Sequence, residues 1–520
     1  MTTRLQPPYY PIVYVRGYAM RAEEREETFY DTYYGFAATS VEKRQAAPPR
    51  HFEADMFEGQ LVRFMKLGEY SYADSVNKGE RVPSAHPGRS LWVCRFYDQD
   101  YYDENIRNIE DHAEELRVLV CKTIPDRLRE SGLDLGNNDE DFRVILLAHS
   151  MGGLVCRTLI QTLLPGHNED PKRWIHRFVT MGTPHGGIEL AAVPDFMERL
   201  VARTGFNPMD ANIFMEPRMR QYLSLPSDCD VHSLGPESDT YSFPVKRCLC
   251  LIGSDYHSYS AVRFVTGSFS DGLVKQNNAY LVNGPKPEKG VGYDDAHTAF
   301  YANVHRAHSG RRGIVNSYES FENIQRFLFG NIKLRILLKD LQIHTKVEDG
   351  SDAFYDFEFL FAIRNSNAFL HRRQQDPCEN ALRFLRQDVP STLLLHTAFL
   401  NSELTDADDP NYAHFAMRFR VLERKVKHGW LRDTDYPERQ IYSEGIEVRL
   451  GRADKKNPVR VEYHWLSDAN DWERAVPSEE GTYSLPLRGA EAVTATVVVE
   501  AERWPNNELT RDALPERVFV

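Results

Sequence analysis

The chain has 520 residues, 42% hydrophobic and 12% aromatic, with a formal charge of −13 from 63 basic against 76 acidic residues. That length is too great for one hydrophobic core and predicts two or three domains, and the apolar content excludes a disordered chain. The acidic balance argues against a nucleic-acid partner; the basic runs "HRRQQ" and "GRRG" are short, isolated and read as solvated loops.

The first strand-like run is "PIVYV" (11–15), too short for the apolar core of a secretory signal and preceded by a Pro-Pro pair. Further β-rich runs follow at 90–97, 142–148, 175–181, 245–253 and 298–304. Amphipathic helices separate them, as over 109–128, where Ile109, Ala113, Leu116, Leu119 and Val120 form one stripe. This alternation predicts a mostly parallel α/β sheet over residues 1–330, closed by a helix over 317–330 with Ser317 or Ser320 as its N-cap. Two segments break the rhythm, about 20–90 and 188–244, and insertions of that length in a compact domain are usually functional. The second holds Met197, Met209, Met215 and Met219 beside Phe196, Phe206 and Phe214. Such residues suit an adaptable apolar wall or lid, or simply two helices packed on the sheet.

Beyond Gly330 the pattern changes to seven runs of period-two alternation, from "IKLRILLKDLQI" to "AVTATVVVEAERW". They predict an all-β sandwich over 331–520. The acids of "TDADDP" (405–410) match no calcium-loop spacing, no Cys/His pattern has zinc spacing, and no Gly-rich phosphate or dinucleotide loop is present, so neither metal nor cofactor is expected. No stretch approaches 18 apolar residues, so no transmembrane helix is expected. The seven cysteines are odd in number and scattered, and Cys248 and Cys250 would face opposite sides of a strand. Reduced thiols in a cytoplasmic protein are the simplest expectation.

The stretch with most chemical content is "FRVILLAHSMGGLVCRTLIQTL", beginning at Phe142. An apolar strand stops at Ser150 and an apolar helix begins, with Ala148, Gly152 and Gly153 as the small neighbours that a sharp bend requires. Such a bend thrusts a serine hydroxyl out beside a helix N-terminus, whose free N–H groups favour developing negative charge. The stretch resembles the nucleophile elbow of the α/β-hydrolase superfamily, in its lipase and esterase branch, with Ala148 where glycine is usual. "TMGTPHGG" (180–187) is similar to a turn of such lipases, and "SDGLV" (270–274) to their acid-bearing loop.

The resemblance implies an α/β-hydrolase fold with helical insertions and the chain order Ser, acid, His. Serine needs a base to take its proton. Ser150 is the expected nucleophile and Asp271 the expected acid, with Asp255 as the alternative. His308 is the expected base, with His305 as the alternative and His297 read as a turn residue. The oxyanion donors would be the amides of Met151 and Tyr18, the latter in "RGY", where Arg16 stands in place of the usual histidine. Arg16 and His185 are candidates for the substrate pocket; His149 is expected to pack. The implied activity is hydrolysis of a carboxylic ester of a moderately apolar, lipid-like small molecule. Thioesterase, amidase or acyltransferase chemistry on the same residues, or a binding protein with a vestigial site, are the alternatives.

Overall fold

The computed structural model describes residues 3–17, 42–45, 52–55, 59–67, 70–74, 86–94, 107–188, 210–236, 239–258, 269–284, 294–309, 312–364, 368–401, 411–428, 434–451, 459–468, 472–479, 481–488 and 491–505. The chain divides into two compact units, Met1–Tyr301 with Arg306–Phe321, and Ala302–His305 with Glu322–Val520.

Among the described residues the main sheet has seven strands: β1 (Ile12–Val15), β2 (Ser71–Asp74), β3 (Ser90–Cys94), β4 (Val144–His149), β5 (Ile175–Met181), β6 (Cys248–Gly253) and β7 (Phe300–Val304). Their order across the sheet is β7-β6-β5-β4-β1-β3-β2. The pairings β6–β5, β5–β4, β4–β1, β1–β3 and β3–β2 are all parallel. Strands β1, β3, β4, β5 and β6 are buried along their whole length, which explains why they read as unbroken apolar runs rather than alternating ones. The α/β class expected from the sequence is therefore the class observed. The segment 20–90 is not all loop, however: helix α1 (Gly59–Leu67) and strand β2 lie within it. "SYAD" escaped sequence reading because an edge strand needs no apolar run.

Two long helices flank the sheet. The first runs as α2 (Ile109–Val118), a π-helical turn over Leu119–Thr123 and a further α segment over Ile124–Glu130. Its start is fixed by a capping box: Asn108 Oδ1 accepts the Asp111 N–H and Asp111 Oδ2 accepts the Asn108 N–H. The second, α3 (Met151–Thr158), continues through a π-helical turn over Leu159–Leu163 to Gly166. In both, the wide turn precedes a proline, Pro125 or Pro165, and closes on an i to i+5 bond, Ile124 N–H to Leu119 O and Leu164 N–H to Leu159 O. A proline has no N–H to give and crowds the preceding turn, so the helix widens there instead of breaking.

The second unit is built from antiparallel strands. One sheet runs β12-β8-β19-β18-β17, with β8 (Ile332–Ile343), β12 (Leu393–Leu400), β17 (Pro477–Glu479), β18 (Thr482–Pro486) and β19 (Val493–Arg503). The other runs β10-β9-β13-β14-β15-β16, with β9 (Ser351–Ile363), β10 (Phe369–Arg373), β13 (Ala413–Lys427), β14 (Arg439–Gly451), β15 (Arg460–Trp465) and β16 (Glu473–Arg474); β11 (Leu382–Leu385) pairs with β9. One core joins inward residues of both sheets, including Leu334, Ile336, Phe359, Phe361, Phe415, Ile446, Val461 and Val497. The alternation buried-then-half-buried along β15 is the period-two signature of such a layer. Helix α4 (Glu216–Tyr222) and helix α5 (Tyr318–Phe329) complete the main elements.

None of the seven cysteines forms a disulfide; six are buried and Cys121 is half-buried. No helix of the described residues is long and apolar enough to cross a membrane.

Candidate active site

Strand β4 carries the chain into the sheet core and ends at His149, and α3 begins at Met151. Ser150 between them has φ 53° and ψ −130°, a left-handed conformation that costs a non-glycine residue about 1–3 kcal/mol. Its amide donates to Met181 O at 3.0 Å, locking the bend to the end of β5. The glycines make room for the close approach. A Cβ at Gly152 would lie 2.4 Å from Val15 O, and one at Gly153 2.2 Å from Thr183 Oγ1. The bend therefore exists because nothing larger than hydrogen stands where helix, β1 and the turn after β5 meet.

The structure brings three of the expected residues together. His308 Nε2 lies 2.9 Å from Ser150 Oγ, and His308 Nδ1 lies 2.8 Å from Asp271 Oδ2. Asp271 Oδ1 accepts the amides of Leu273 at 2.9 Å and Val274 at 2.7 Å, so both carboxylate oxygens are engaged and the rotamer is fixed. The His308 amide in turn donates to Asp271 O at 2.9 Å. Asp271 is 1% exposed and His308 3%, whereas Ser150 is half-exposed. The arrangement is a buried carboxylate and imidazole behind a half-buried serine.

The alternatives sit elsewhere. Asp255 Oδ1 accepts the Ser258 amide at 3.1 Å, and its own amide donates to Arg306 O. His305 directly follows β7 and is half-buried; the hydroxyl of Ser150 bonds His308 instead. His297 is a turn residue, its ring on Asp294 Oδ1 at 2.6 Å.

The "TMGTPHGG" turn lies behind Asp271 and His308. Gly182 has φ 55°, and a Cβ there would fall 2.9 Å from Asp271 Oδ2 and 3.2 Å from His308 Nδ1. His185 is fully buried, its Nε2 3.1 Å from Thr180 Oγ1, and burial holds its imidazole well below the usual range. It lines the interior of the turn and offers no surface. Sequence reading missed Arg157, a fully buried arginine on α3. Its Nη1 donates to His185 O at 3.1 Å, its Nη2 to Val231 O at 3.0 Å and Ser233 O at 2.7 Å, and its Nε to Gln161 at 2.8 Å. Burial lowers its pKa to about 10. The available signal was one arginine inside the apolar helix "GLVCRTLI".

Met151 N–H belongs to the first turn of α3 and has no acceptor within the helix. Gly17 brings the loop after β1 to the same point, since a Cβ there would lie 2.9 Å from Ser150 Cβ. Tyr18 itself lies outside the described residues, as do Met197, Met209, Phe196, Phe206 and the "TDADDP" loop. Of the other insertion residues, Met219 is buried against Gly187 and Met215 is 39% exposed. Arg16 is buried beside His149, its amide on Cys94 O at 3.4 Å. Among the described residues no group of three or more His, Cys, Asp or Glu side chains could hold a metal ion.

No family model and no curated protein sequence matches the chain. Among solved structures, similar ones include the mature form of a Bacillus licheniformis lipase, at 16% identity over 59% of this chain and 89% of that one, TM-score 0.30. A Legionella pneumophila phospholipase matches at 12% identity over 84% and 91%, TM-score 0.29. A metagenomic carboxyl esterase matches at 12% identity over 54% and 63%, TM-score 0.28. Likenesses so distant say nothing of chemistry. By its own parallel sheet, the sharp strand-to-helix bend at Ser150 and the turns that back it, the first unit has the α/β-hydrolase fold.

Proposed function

We propose that the protein is a serine hydrolase of carboxylic esters, acting through Ser150, His308 and Asp271. The single observation that carries the reading is the continuous chain of hydrogen bonds from Ser150 Oγ through the His308 ring to Asp271 Oδ2. Ser150 Oγ attacks the acyl carbon while His308 Nε2 takes its proton, and Asp271 keeps the ring in the tautomer that leaves Nε2 free to accept. The tetrahedral oxyanion is held by the Met151 amide and, in this reading, the Tyr18 amide. Collapse expels the alcohol, which leaves with the proton from His308, and the acyl group stays on Ser150. A water then gives its proton to His308 and attacks the acyl-serine; the acid departs and Ser150 regains its proton.

A moderately apolar acyl group suits the surroundings. Leu273 and Val274 beside the acid, and Ala307 beside the base, belong to one apolar cluster with Ile188, Ile252 and Ala279, and Phe214, Tyr280 and Tyr301 are packed against it half-buried. The test is covalent. A fluorophosphonate probe should label the protein at Ser150, and Ser150→Ala should lose both labelling and at least about 10⁴-fold of nitrophenyl-ester hydrolysis. Undiminished hydrolysis in Ser150→Ala defeats the reading.

A further inference from the structure

The residue before the nucleophile makes a bond that the chemistry above does not use. His149 Nε2 lies 3.0 Å from the carbonyl oxygen of His308. A carbonyl can only accept, so Nε2 carries the hydrogen, and in the neutral ring Nδ1 is bare. Nδ1 is buried without a hydrogen-bond partner among the described residues and is capped by Gly17, where a Cβ would come within 2.8 Å of it. A second proton there would be a buried charge with no acceptor, on a ring whose centroid is 5.0 Å from that of His308. Burial first, and then His308 itself, hold the His149 imidazole well below its usual range.

We propose that His149 is a positioning residue for His308, a permanently neutral Nε2–H donor that pins the carbonyl of the base to the same strand end that carries the nucleophile. The backbone of His308 is then held on both sides, by Asp271 O at its amide and by His149 at its carbonyl. Because His149 and Ser150 are adjacent, the separation between Ser150 Oγ and the imidazole is set within one two-residue unit. A neutral ring is needed for this: the base becomes cationic in every turnover, and a second cation beside it would oppose that step.

The inference rests on the Ser150–His308–Asp271 reading and is tested apart from it. In wild-type protein carrying ¹⁵N-histidine, the His149 ring is expected as the neutral Nε2–H tautomer at neutral pH; the Nδ1–H tautomer or an imidazolium overturns the proposal. His149→Phe keeps a ring but no donor and is expected to lower kcat about 10- to 100-fold with KM within about twofold. His149→Gln restores most of the loss through its own side-chain N–H. An equal loss in both variants, or none in His149→Phe, overturns the proposal; if His149→Phe fails to fold, the tautomer and the Gln variant decide. Wild-type protein that the fluorophosphonate does not label defeats the triad reading and this one with it. Wild type that labels no faster than His149→Phe defeats only the role of His149.

Discussion

Gly182 is the residue on which Asp271 and His308 rest. Its positive φ and its approach to Asp271 Oδ2 leave no room for a methyl group that does not push the carboxylate or the imidazole aside. Gly182→Ala is expected to lower kcat/KM by about 10²-fold, since displacements of about 1 Å at reacting groups have that effect. The accompanying backbone strain is about 1 kcal/mol, so the melting temperature should move by only a few degrees. Activity within threefold of wild type, measured on a nitrophenyl ester, would show that the turn is not what holds the pair. How such a residue reads in sequence is instructive. "GTPHGG" announces a tight turn through its glycines, but no sequence pattern says what a missing side chain faces. Ser150 stood out in the sequence because its small neighbours are local, and Asp271 because "SDGLV" resembles the acid-bearing loop of lipases; the two amides its Oδ1 accepts were not part of that signal. Arg157 and the His149–His308 bond were not legible, because their partners lie 28 to 159 residues away.

At the scale of elements, α3 does more than follow the bend at Ser150. Through Arg157 it gathers the turn after β5 and the loop at Val231–Ser233 onto one guanidinium, with no carboxylate among the described residues hydrogen-bonded to it. Removing that side chain leaves the carbonyls of His185 and Val231 without their donor, each worth about 1–3 kcal/mol, while Ser233 O keeps the Gln161 side-chain N–H at 3.1 Å. Arg157→Ala should therefore destabilise the fold by about 2 kcal/mol or more, read as a lower denaturant midpoint. A midpoint unchanged from wild type would mean that water takes over both carbonyls. The helix itself was expected from its apolar spacing, as was α2. The π-helical turn within each was not, because a 3.6-residue stripe does not reveal how a proline at 125 or 165 displaces the register before it. In the second unit the long strands were legible by alternation, while β10, β11 and β16 to β18 are short and lie at or near sheet edges, where alternation has little length in which to appear.

For the whole molecule, acid is the expected weakness. His112, His149, His176, His185, His371 and His396 are all buried, and burial is the largest cause lowering the pKa of each. His112 is pushed down to about 4 and His396 to about 3, from an ordinary 6.5. In the unfolded chain each takes up a proton as pH falls through about 6.5, while in the folded chain it does so only lower. The unfolded state thus binds more protons in that window, so stability is full above about pH 6.5 and falls progressively towards pH 4 and 3. Thermal melts across this range should show the loss beginning above about pH 5, before most carboxylates titrate. A melting temperature that stays level from about pH 7.5 to 5 would contradict the assignment of neutral buried rings.

The seven cysteines, none of them in a disulfide, carry a consequence of another kind. Since no sulfur–sulfur bond ties any part of the chain, the architecture owes nothing to oxidation, and the same Ser150–His308–Asp271 geometry is compatible with a strongly reducing or a mildly oxidising milieu. Six of those sulfurs are also shut away from solvent, which makes them a built-in stopwatch: a maleimide dye reaches them only as fast as the molecule opens.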